Sequence, residues 1–415
     1  MRRIEGFTGG TVQQRSIIRL GVPLAVAALA LSACGSRSDS ATGSSAASTK
    51  VAKIGVIAPL SGGLSAMGLG IKNSVDLAIK QANDSGAVAG WKFELYALDD
   101  EAKAEVGKNA ATKISSDDAV IGVVGTLNSS VAQQTVPVLA AAKIAQVSPA
   151  NTNPTLTQGA DLANKKRPYN NYFRTCTTDA VQGPFAAQYL LGQGIKAVAT
   201  IHDKKTYGQG LVDAFTAEFT KGGGKVVAAE TVGENDKDFA TVISKIKPSA
   251  PGAIYYGGEY PTAGPLSQQM KAQGLTIPLM GGDGIFDPKF IELAGATATG
   301  DMATSVGAPT DSTDAGKKFL TEYKAGGYKE EASAYGGYGY DAAKAIIEAA
   351  KSALKDAKDV KSGRDALLTA LGKVSFDGVT GKVAFDEYGD TTSKVLTVYK
   401  VDGGKWVPAK TDTFK

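Results

Sequence analysis

The chain has little of what most enzyme sites and nucleic-acid surfaces are built from. In 415 residues there is one histidine, His202, and there are two cysteines, Cys34 and Cys176. A single histidine gives no HExxH pair, and with no nucleophile elbow or triad order around it His202 reads as structural. Two cysteines so placed form neither a zinc spacing nor a disulfide framework. Cys176 reads as a small buried hydrophobe. Lys and Arg number 45 against 41 Asp and Glu, for a net charge of +4. No basic tract or aromatic-interleaved arginine run accompanies that balance, which argues against nucleic acid. The apolar stretch 21–31 is too short to span a bilayer comfortably. With 43% hydrophobic and 21% charged residues the chain is globular, and it is long enough for two domains.

The beginning of the chain reads as a targeting segment. Arg2, Arg3, Arg15 and Arg19 precede the apolar stretch, which ends in Leu31-Ser32-Ala33-Cys34. That tetrad resembles the bacterial lipobox, in which the cysteine is lipidated and becomes the mature N-terminus. The alternative is a plain signal peptide with a chance cysteine. The lipobox reading makes residues 1–34 a lipoprotein signal peptide with lipid attachment at Cys34. It makes residues 35–49, nearly all Ser, Ala, Gly, Thr and Asp, a flexible tether of roughly 20 Å. The protein would then hang from the outer face of the cytoplasmic membrane, each buried acyl methylene contributing about 0.8 kcal/mol.

The rest is organised around Gly125-Thr126-Leu127-Asn128-Ser129-Ser130. The run Val120-Ile-Gly-Val-Val124 before it reads as a buried strand, and Ser130-Val-Ala-Gln133 after it as a capping box opening a helix. Backbone N–H groups and a positive helix end at a sheet edge suit a small carboxylate, with Asn128, Ser129 and Ser130 adding donors. The same loop would also serve an ordinary capped helix. Strand and helix alternate on both sides of it. Strands are expected at 51–58, 91–98, 120–124 and 144–147, and helices at 68–82 and 103–116. A further helix should be kinked by Pro137. A second series begins near Phe173, with helices at 184–191, 209–220 and 238–246 and strands at 197–201, 226–229, 253–256 and 277–280. Helices at 313–325, 333–354 and 363–371 and a strand at 395–400 complete the chain.

Such alternation predicts an α/β fold of two Rossmann-like lobes, each a mainly parallel sheet flanked by helices, joined by a multi-strand hinge. The first lobe is expected to comprise 51–175 plus 307–388, the second 176–306 plus the hinge return 389–415. Ligands of such folds sit at strand ends or in the cleft between lobes. The strand-end loops bring 125–130 and 148–153 together on one side, with Tyr207, Glu259 and Asp283 on the other.

With these residues in place the chain resembles the leucine/isoleucine/valine-binding family of type I periplasmic binding proteins that feed ABC importers. Ile57-Ala-Pro-Leu-Ser-Gly62, Val124-Gly-Thr-Leu-Asn-Ser-Ser130, Ser148-Pro-Ala-Asn-Thr152, His202-Asp-Lys-Lys-Thr-Tyr-Gly208, Tyr255-Tyr-Gly-Gly258, Met280-Gly-Gly-Asp-Gly284 and Phe376-Asp-Gly-Val-Thr-Gly381 carry the resemblance, which spans 53–400. It implies a non-enzymatic, extracytoplasmic importer subunit that binds an amino acid of the branched-chain or hydrophobic class and delivers it to permease subunits. It implies a monomer with no cofactor, no metal and no catalytic residue. Ser129, its loop including Asn151, and Thr152 would hold the ligand carboxylate. The Ala150 carbonyl and Asp283 would hold the ammonium, and Tyr207 would edge the cleft or pack the hinge. The side-chain pocket departs from the pattern. Met67 stands where leucine binders have an aromatic, Glu259 where they have a tyrosine, and Asn128 where they have a cysteine. An unpaired Glu259 beside an apolar ligand would cost several kcal/mol. It must therefore stay wet, pair with a protein cation, or meet a polar or cationic amino acid or an amide- or urea-type solute. A ligand sensor for a membrane receptor could share the fold. The disulfide usual in Gram-negative members is absent.

Other clusters read blandly. Gly68-Leu69-Gly70 lacks the third glycine of a dinucleotide fingerprint and reads as a loop-to-helix turn. Asp99-Asp100-Glu101 reads as a solvated strand end rather than a metal site, and Asp117-Asp118 as a helix-terminal turn. Tyr335, Tyr338 and Tyr340 edge the cleft or pack beside it.

Overall fold

A computed structural model describes residues 49–415. The expected signal peptide, Cys34 and nearly all of the expected tether lie outside the described residues. The first half runs β1 (Lys50–Ala58), α1 (Ser65–Asp84), β2 (Trp91–Asp99), α2 (Ala104–Ser115), β3 (Val120–Gly125), α3 (Ser129–Ala141), β4 (Ala145–Ser148), α4 (Thr155–Gln158) and β5 (Tyr172–Arg174). These strands make one five-stranded sheet, ordered β2-β1-β3-β4-β5 and parallel throughout. All of β3 is buried, as a central strand covered on both faces must be. Ile57, Val120 and Val123 pack against α2 and α3 on one face. Ile54, Val56 and Val124 belong to the core under the other face.

The chain continues through α5 (Asp179–Gly192), β6 (Ala197–His202), α6 (Thr206–Lys221), β7 (Lys225–Thr231), α7 (Ala240–Ile246), β8 (Ala253–Gly257), α8 (Tyr260–Ala272), β9 (Leu279–Gly281), α9 (Pro288–Ala294) and β10 (Met302–Ser305). It then returns to the first sheet with α10 (Asp314–Ala325), α11 (Gly336–Ala353) and α12 (Val360–Leu371). Ile346 of α11 packs on Gly122 of β3, and Phe319 of α10 packs with Leu77 of α1. The hairpin β11 (Ser375–Gly378) and β12 (Gly381–Ala384) precedes β13 (Val395–Asp402) and β14 (Lys405–Thr413). The second sheet is ordered β14-β13-β10-β9-β8-β6-β7. Its strands from β6 to β10 are parallel, while β13 runs antiparallel to its two neighbours, β10 and β14. The fold is therefore α/β with two helix-flanked, mainly parallel sheets, and the chain passes between them after β5, after β10 and before β13.

Several expectations are corrected. The segment at Phe173 does not open the second series. Tyr172, Phe173 and Arg174 pair with Gln146, Val147 and Ser148, so β5 completes the first sheet. Pro184 lies inside α5, which starts at Asp179. The strands β10 and β14 carry no strong alternation of their own, and tertiary pairing forms them. Gly68 and Gly70 sit inside α1 rather than in a turn before it. A Cβ on Gly68 would lie 1.9 Å from the Pro59 carbonyl oxygen, and one on Gly70 would lie 2.5 Å from that of Ala332. These glycines let α1 press against the turn after β1 and against the loop leading to α11. Asp99-Asp100-Glu101 is solvated only in part: Glu101 is exposed and Asp99 half-buried, but Asp100 is not. Asp99 accepts from Leu60 N and Ser61 Oγ, and Asp100 is wholly buried.

Gly68→Ala should lower unfolding free energy by about 2–3 kcal/mol, since the obstructing atom is backbone. A denaturant melt checks it, and an unchanged midpoint would mean that α1 can shift at no cost.

Candidate functional site

The loop after β3 begins at Gly125, whose φ of 137° and approach to the Ile57 carbonyl, 2.1 Å from a would-be Cβ, admit only glycine. Asn128 is the N-cap of α3, with extended backbone and no side-chain cap bond. The expected capping box at Ser130 does not form. The helix starts two residues earlier, with Asn128 rather than Ser130 as its N-cap, and Gln133 Oε1 instead accepts from Thr206 Oγ1 of α6 at 3.0 Å. Ser129 Oγ is buried and has no hydrogen-bond partner.

The neighbouring loop after β4 is locked to this one. Ser148 Oγ accepts from the backbone of Ala150 and Asn151 and donates to the Thr126 carbonyl. Asn151 Nδ2 donates to the Leu127 carbonyl at 2.8 Å, and its Oδ1 accepts from the Tyr172 hydroxyl at 2.9 Å. Asn151 is thus committed to positioning. Ala150 and Thr152 are buried, and Thr152 Oγ1 has no partner. Beneath the loop the fully buried Arg174 pairs with Asp390 at 2.6 Å and donates to the Asn151 and Asn153 carbonyls and to Thr157 Oγ1. Two hydroxyls on adjacent loops therefore lie out of water without a well-formed hydrogen bond, Thr152 having only the Asp179 carboxyl beside it. Each such group costs about 1–3 kcal/mol until a partner arrives.

The second sheet contributes Asp283, just past β9. Its Oδ1 accepts from Gln182 Nε2 at 2.9 Å and from the Tyr207 hydroxyl at 2.8 Å. Its Oδ2 accepts from the Tyr335 hydroxyl at 2.7 Å. Burial pushes this carboxyl up, and the three donors oppose the shift. Gln182 cannot flip, because its Oε1 accepts from Asp283 N and Thr304 Oγ1. Tyr207 is therefore bonded to the acid, and its hydroxyl also accepts from Gly284 N. Of the three tyrosines considered, Tyr335 reaches Asp283 from the segment that packs on the first sheet. Tyr340 bonds Gln81 instead, and the Tyr338 carbonyl accepts from Thr175.

Glu259, the N-cap of α8, is neither wet nor unpaired. Its Oε1 accepts from Asn128 Nδ2 at 2.7 Å, and its Oε2 lies 3.6 Å from Lys205 Nζ, which also reaches Glu234 at 2.5 Å. Burial would lower the Lys205 ammonium, but Glu259 and Glu234 outweigh it and hold the group above its ordinary range. Burial and then the nearby Glu259 push the Asp203 carboxyl up to about 8. Further bonds tie the two halves: Asn153 Nδ2 donates to the Thr206 carbonyl at 2.8 Å, and the Tyr260 hydroxyl to the Gly63 carbonyl at 2.5 Å. Met67, in the first turn of α1, is 1% exposed and belongs to the apolar core. Cys176 is buried, its thiol 3.4 Å from the Asn151 carbonyl, and His202 Nδ1 accepts from Lys204 N.

Reading the sequence missed Arg174, Gln182, Asp179 and Lys205. Only Arg174 left a signal, a cation ending the short apolar strand Tyr172-Phe173. Among the described residues no group of three or more His, Cys, Asp and Glu could hold a metal ion, and no helix is long and apolar enough to cross a membrane.

Two α/β lobes, with polar strand-end loops of each turned toward the other, define a two-lobed binding protein. The periplasmic binding protein family model matches residues 51–405, and the chain belongs to that family. It is a family of solute-binding proteins rather than enzymes, and it works outside the cytoplasm with ABC transporters. The Leu/Ile/Val-binding protein BraC3 of Rhizobium johnstonii is 33% identical over 360 residues, 86% of this chain and 93% of that protein. The Leu/Ile/Val-binding protein homolog 3 of Brucella melitensis is also 33% identical over 360 residues, 85% of this chain and 92% of that one. Among solved structures, the leucine binding protein LivK of Thermotoga maritima superposes with a TM-score of 0.77 at 28% identity, covering 87% of this chain and 99% of its own. LivJ of Streptococcus pneumoniae, in complex with isoleucine, superposes with a TM-score of 0.76 at 27% identity, covering 88% and 99%.

Lys205→Met should leave Glu259 facing Asp203 with no cation. We expect a loss of about 2–3 kcal/mol in unfolding free energy at about pH 9, where the Asp203 carboxyl is ionised, and a smaller one at about pH 6, where that carboxyl holds its proton. Denaturant melts at the two pH values check it. An equal loss at both would mean that Lys205 acts by packing alone.

Proposed function

We propose that this protein is the solute-binding subunit of an ABC importer, taking an amino acid of the branched-chain or hydrophobic class between its lobes and delivering it to the permease. The observation that carries the reading is a complementary set of groups. Ser129 and Thr152 offer unpaired buried hydroxyls on the first lobe, 51–175 plus 307–388. Asp283 offers a buried carboxylate on the second, 176–306 plus 389–415. An α-amino acid presents an acceptor and a cation on neighbouring atoms and satisfies both. In this reading the backbone of Ser129 and Thr152 and the Ala150 carbonyl complete the grip, Asn151 and Tyr207 position it, and Met67 gives an apolar wall. Glu259, hydrogen-bonded by Asn128 and facing the Lys205 ammonium, no longer meets an apolar side chain unpaired. What the Leu/Ile/Val-binding relatives are named for supports the same class. A lipid anchor at Cys34 would keep a monomeric protein beside its permease, and ligand would stabilise the closed lobes.

A second reading is favoured by Asn128 Oδ1 and Asp203 Oδ2, buried acceptors without partners on the two residues that flank Glu259. They would suit a side chain ending in a hydrogen-bond donor.

Calorimetry with the twenty amino acids on ligand-free protein decides between them. Leucine, isoleucine or valine should bind with micromolar affinity, near −8 kcal/mol, and Asp283→Asn should weaken binding about tenfold or more. Preference for glutamine or lysine would favour the second reading. Binding of none, or full affinity in Asp283→Asn, would overturn the amino-acid reading.

A further inference from the structure

A groove of about 1000 Å³ lies beside the crossing that follows β10, and Ser129, Thr152, Tyr207, Glu259 and Asp283 do not line it. Phe286, Ile291 and Trp406 reach it from the half built on the second sheet. Tyr323, Tyr328 and Ala332 reach it from α10 and the loop before α11, which belong with the first. Tyr338 on α11 and Tyr399 on β13 complete it. Sites for small organic molecules span roughly 300–1000 Å³ and are walled mainly by apolar and aromatic side chains with a few polar groups among them.

Both kinds of group are present. Phe286 stacks on Tyr399 with ring centroids 4.0 Å apart, and Trp406 meets Phe286 at 5.7 Å. The indole is fixed by its Nε1, which donates to the Asp287 carbonyl at 3.0 Å, yet Trp406 is only half-buried. Tyr338 and Tyr399 are each 6% exposed, and neither hydroxyl has a hydrogen-bond partner among the described residues. Both residues line the groove, which is where a partner for either hydroxyl would have to lie. Burial pushes both phenols up, so each keeps its proton and stays a donor. The charged groups at the margin, Lys324, Lys329, Lys405, Glu292, Asp311 and Glu331, are exposed and of both signs in equal number, so the groove selects no charge.

We propose that this groove is a second ligand site, for an uncharged aromatic molecule carrying a carbonyl acceptor, and that its occupant strengthens binding in the cleft. The ring packs on the panel of Phe286 and Trp406, and the carbonyl accepts from Tyr338 or Tyr399. The coupling follows from what the lining segments also hold. Phe286 ends the short turn that begins at Asp283, and Ala334 directly precedes Tyr335, which donates to Asp283 Oδ2 at 2.7 Å. A molecule touching Phe286 and Ala334 steadies both ends of that bond. By linkage, occupant and cleft ligand must then tighten each other by the same factor. The coupling rests on the amino-acid reading, and the site itself does not.

The probe is acetanilide, a phenyl ring on an amide, titrated into the protein while tryptophan fluorescence is followed. The other tryptophan, Trp91, is buried with its Nε1 on the Leu354 carbonyl and does not line the groove. Wild type should bind with a dissociation constant on the order of a millimolar or below, and Trp406→Phe should remove the fluorescence change. N-cyclohexylacetamide, the same amide without an aromatic face, should bind about threefold or more weakly. Tyr338→Phe and Tyr399→Phe should between them weaken acetanilide about three- to tenfold. Their melting temperatures should be unchanged or higher, because each loses only an unpaired hydroxyl. Acetanilide should tighten L-leucine, measured by calorimetry, about fivefold or more. No fluorescence change in wild type, equal binding of N-cyclohexylacetamide, or unaltered affinity in both tyrosine variants would overturn the site. Acetanilide binding with an unaltered leucine affinity would overturn the coupling alone. Binding of acetanilide but of no amino acid would support the site and overturn the coupling together with the amino-acid reading.

Discussion

A carboxylate held away from water needs several donors at once, and the arrangement around Asp283 is what the rest of the structure serves. Each donor comes from a different segment. Gln182 stands on α5, Tyr207 on α6 and Tyr335 at the head of α11. Helices α5 and α6 flank the second sheet, but α11 packs on the first. The acid is therefore fully satisfied only while the two halves are together.

The opposite wall is built by a different device. The loops after β3 and β4 are stitched by Asn151 and Ser148, and both rest on the Arg174–Asp390 pair. Asp390 lies in the last crossing of the chain, so the loop that carries Thr152 is fastened to the hinge itself. Ordinary side chains are used up in this stitching. The hydroxyls of Ser129 and Thr152 are not, and that contrast marks them within a loop region rich in polar residues.

Specificity is where family membership and residue chemistry diverge. Proteins about one-third identical over nearly the whole chain carry Leu/Ile/Val-binding names. In the amino-acid reading the acid at position 259 would be an unexpected wall for such ligands. Within the protein Lys205 faces its charge and Asn128 donates it a hydrogen bond, with a second buried acid, Asp203, beside it.

The alternation of β-branched runs with helical spacing made two α/β lobes legible, because a parallel strand needs a crossover helix and each announces itself by period. Ser129, Thr152 and Asp283 were legible as strand-end residues for the same reason. The start of α3 was not: Ser130 and Gln133 have the local chemistry of a capping box, but Asn128 and Gln133 find partners across the gap. Nor were β5, β10 and β14, too short or too polar to show a period, whose ladders exist only because neighbours complete them. Sequence alone determined the elements that local periodicity and turn chemistry can specify, and the membership of the family. Only the tertiary structure decided which acids are paired and which are not. Pairing depends on burial and on contacts between residues as far apart as Asp283 and Tyr335, and no local pattern carries that information.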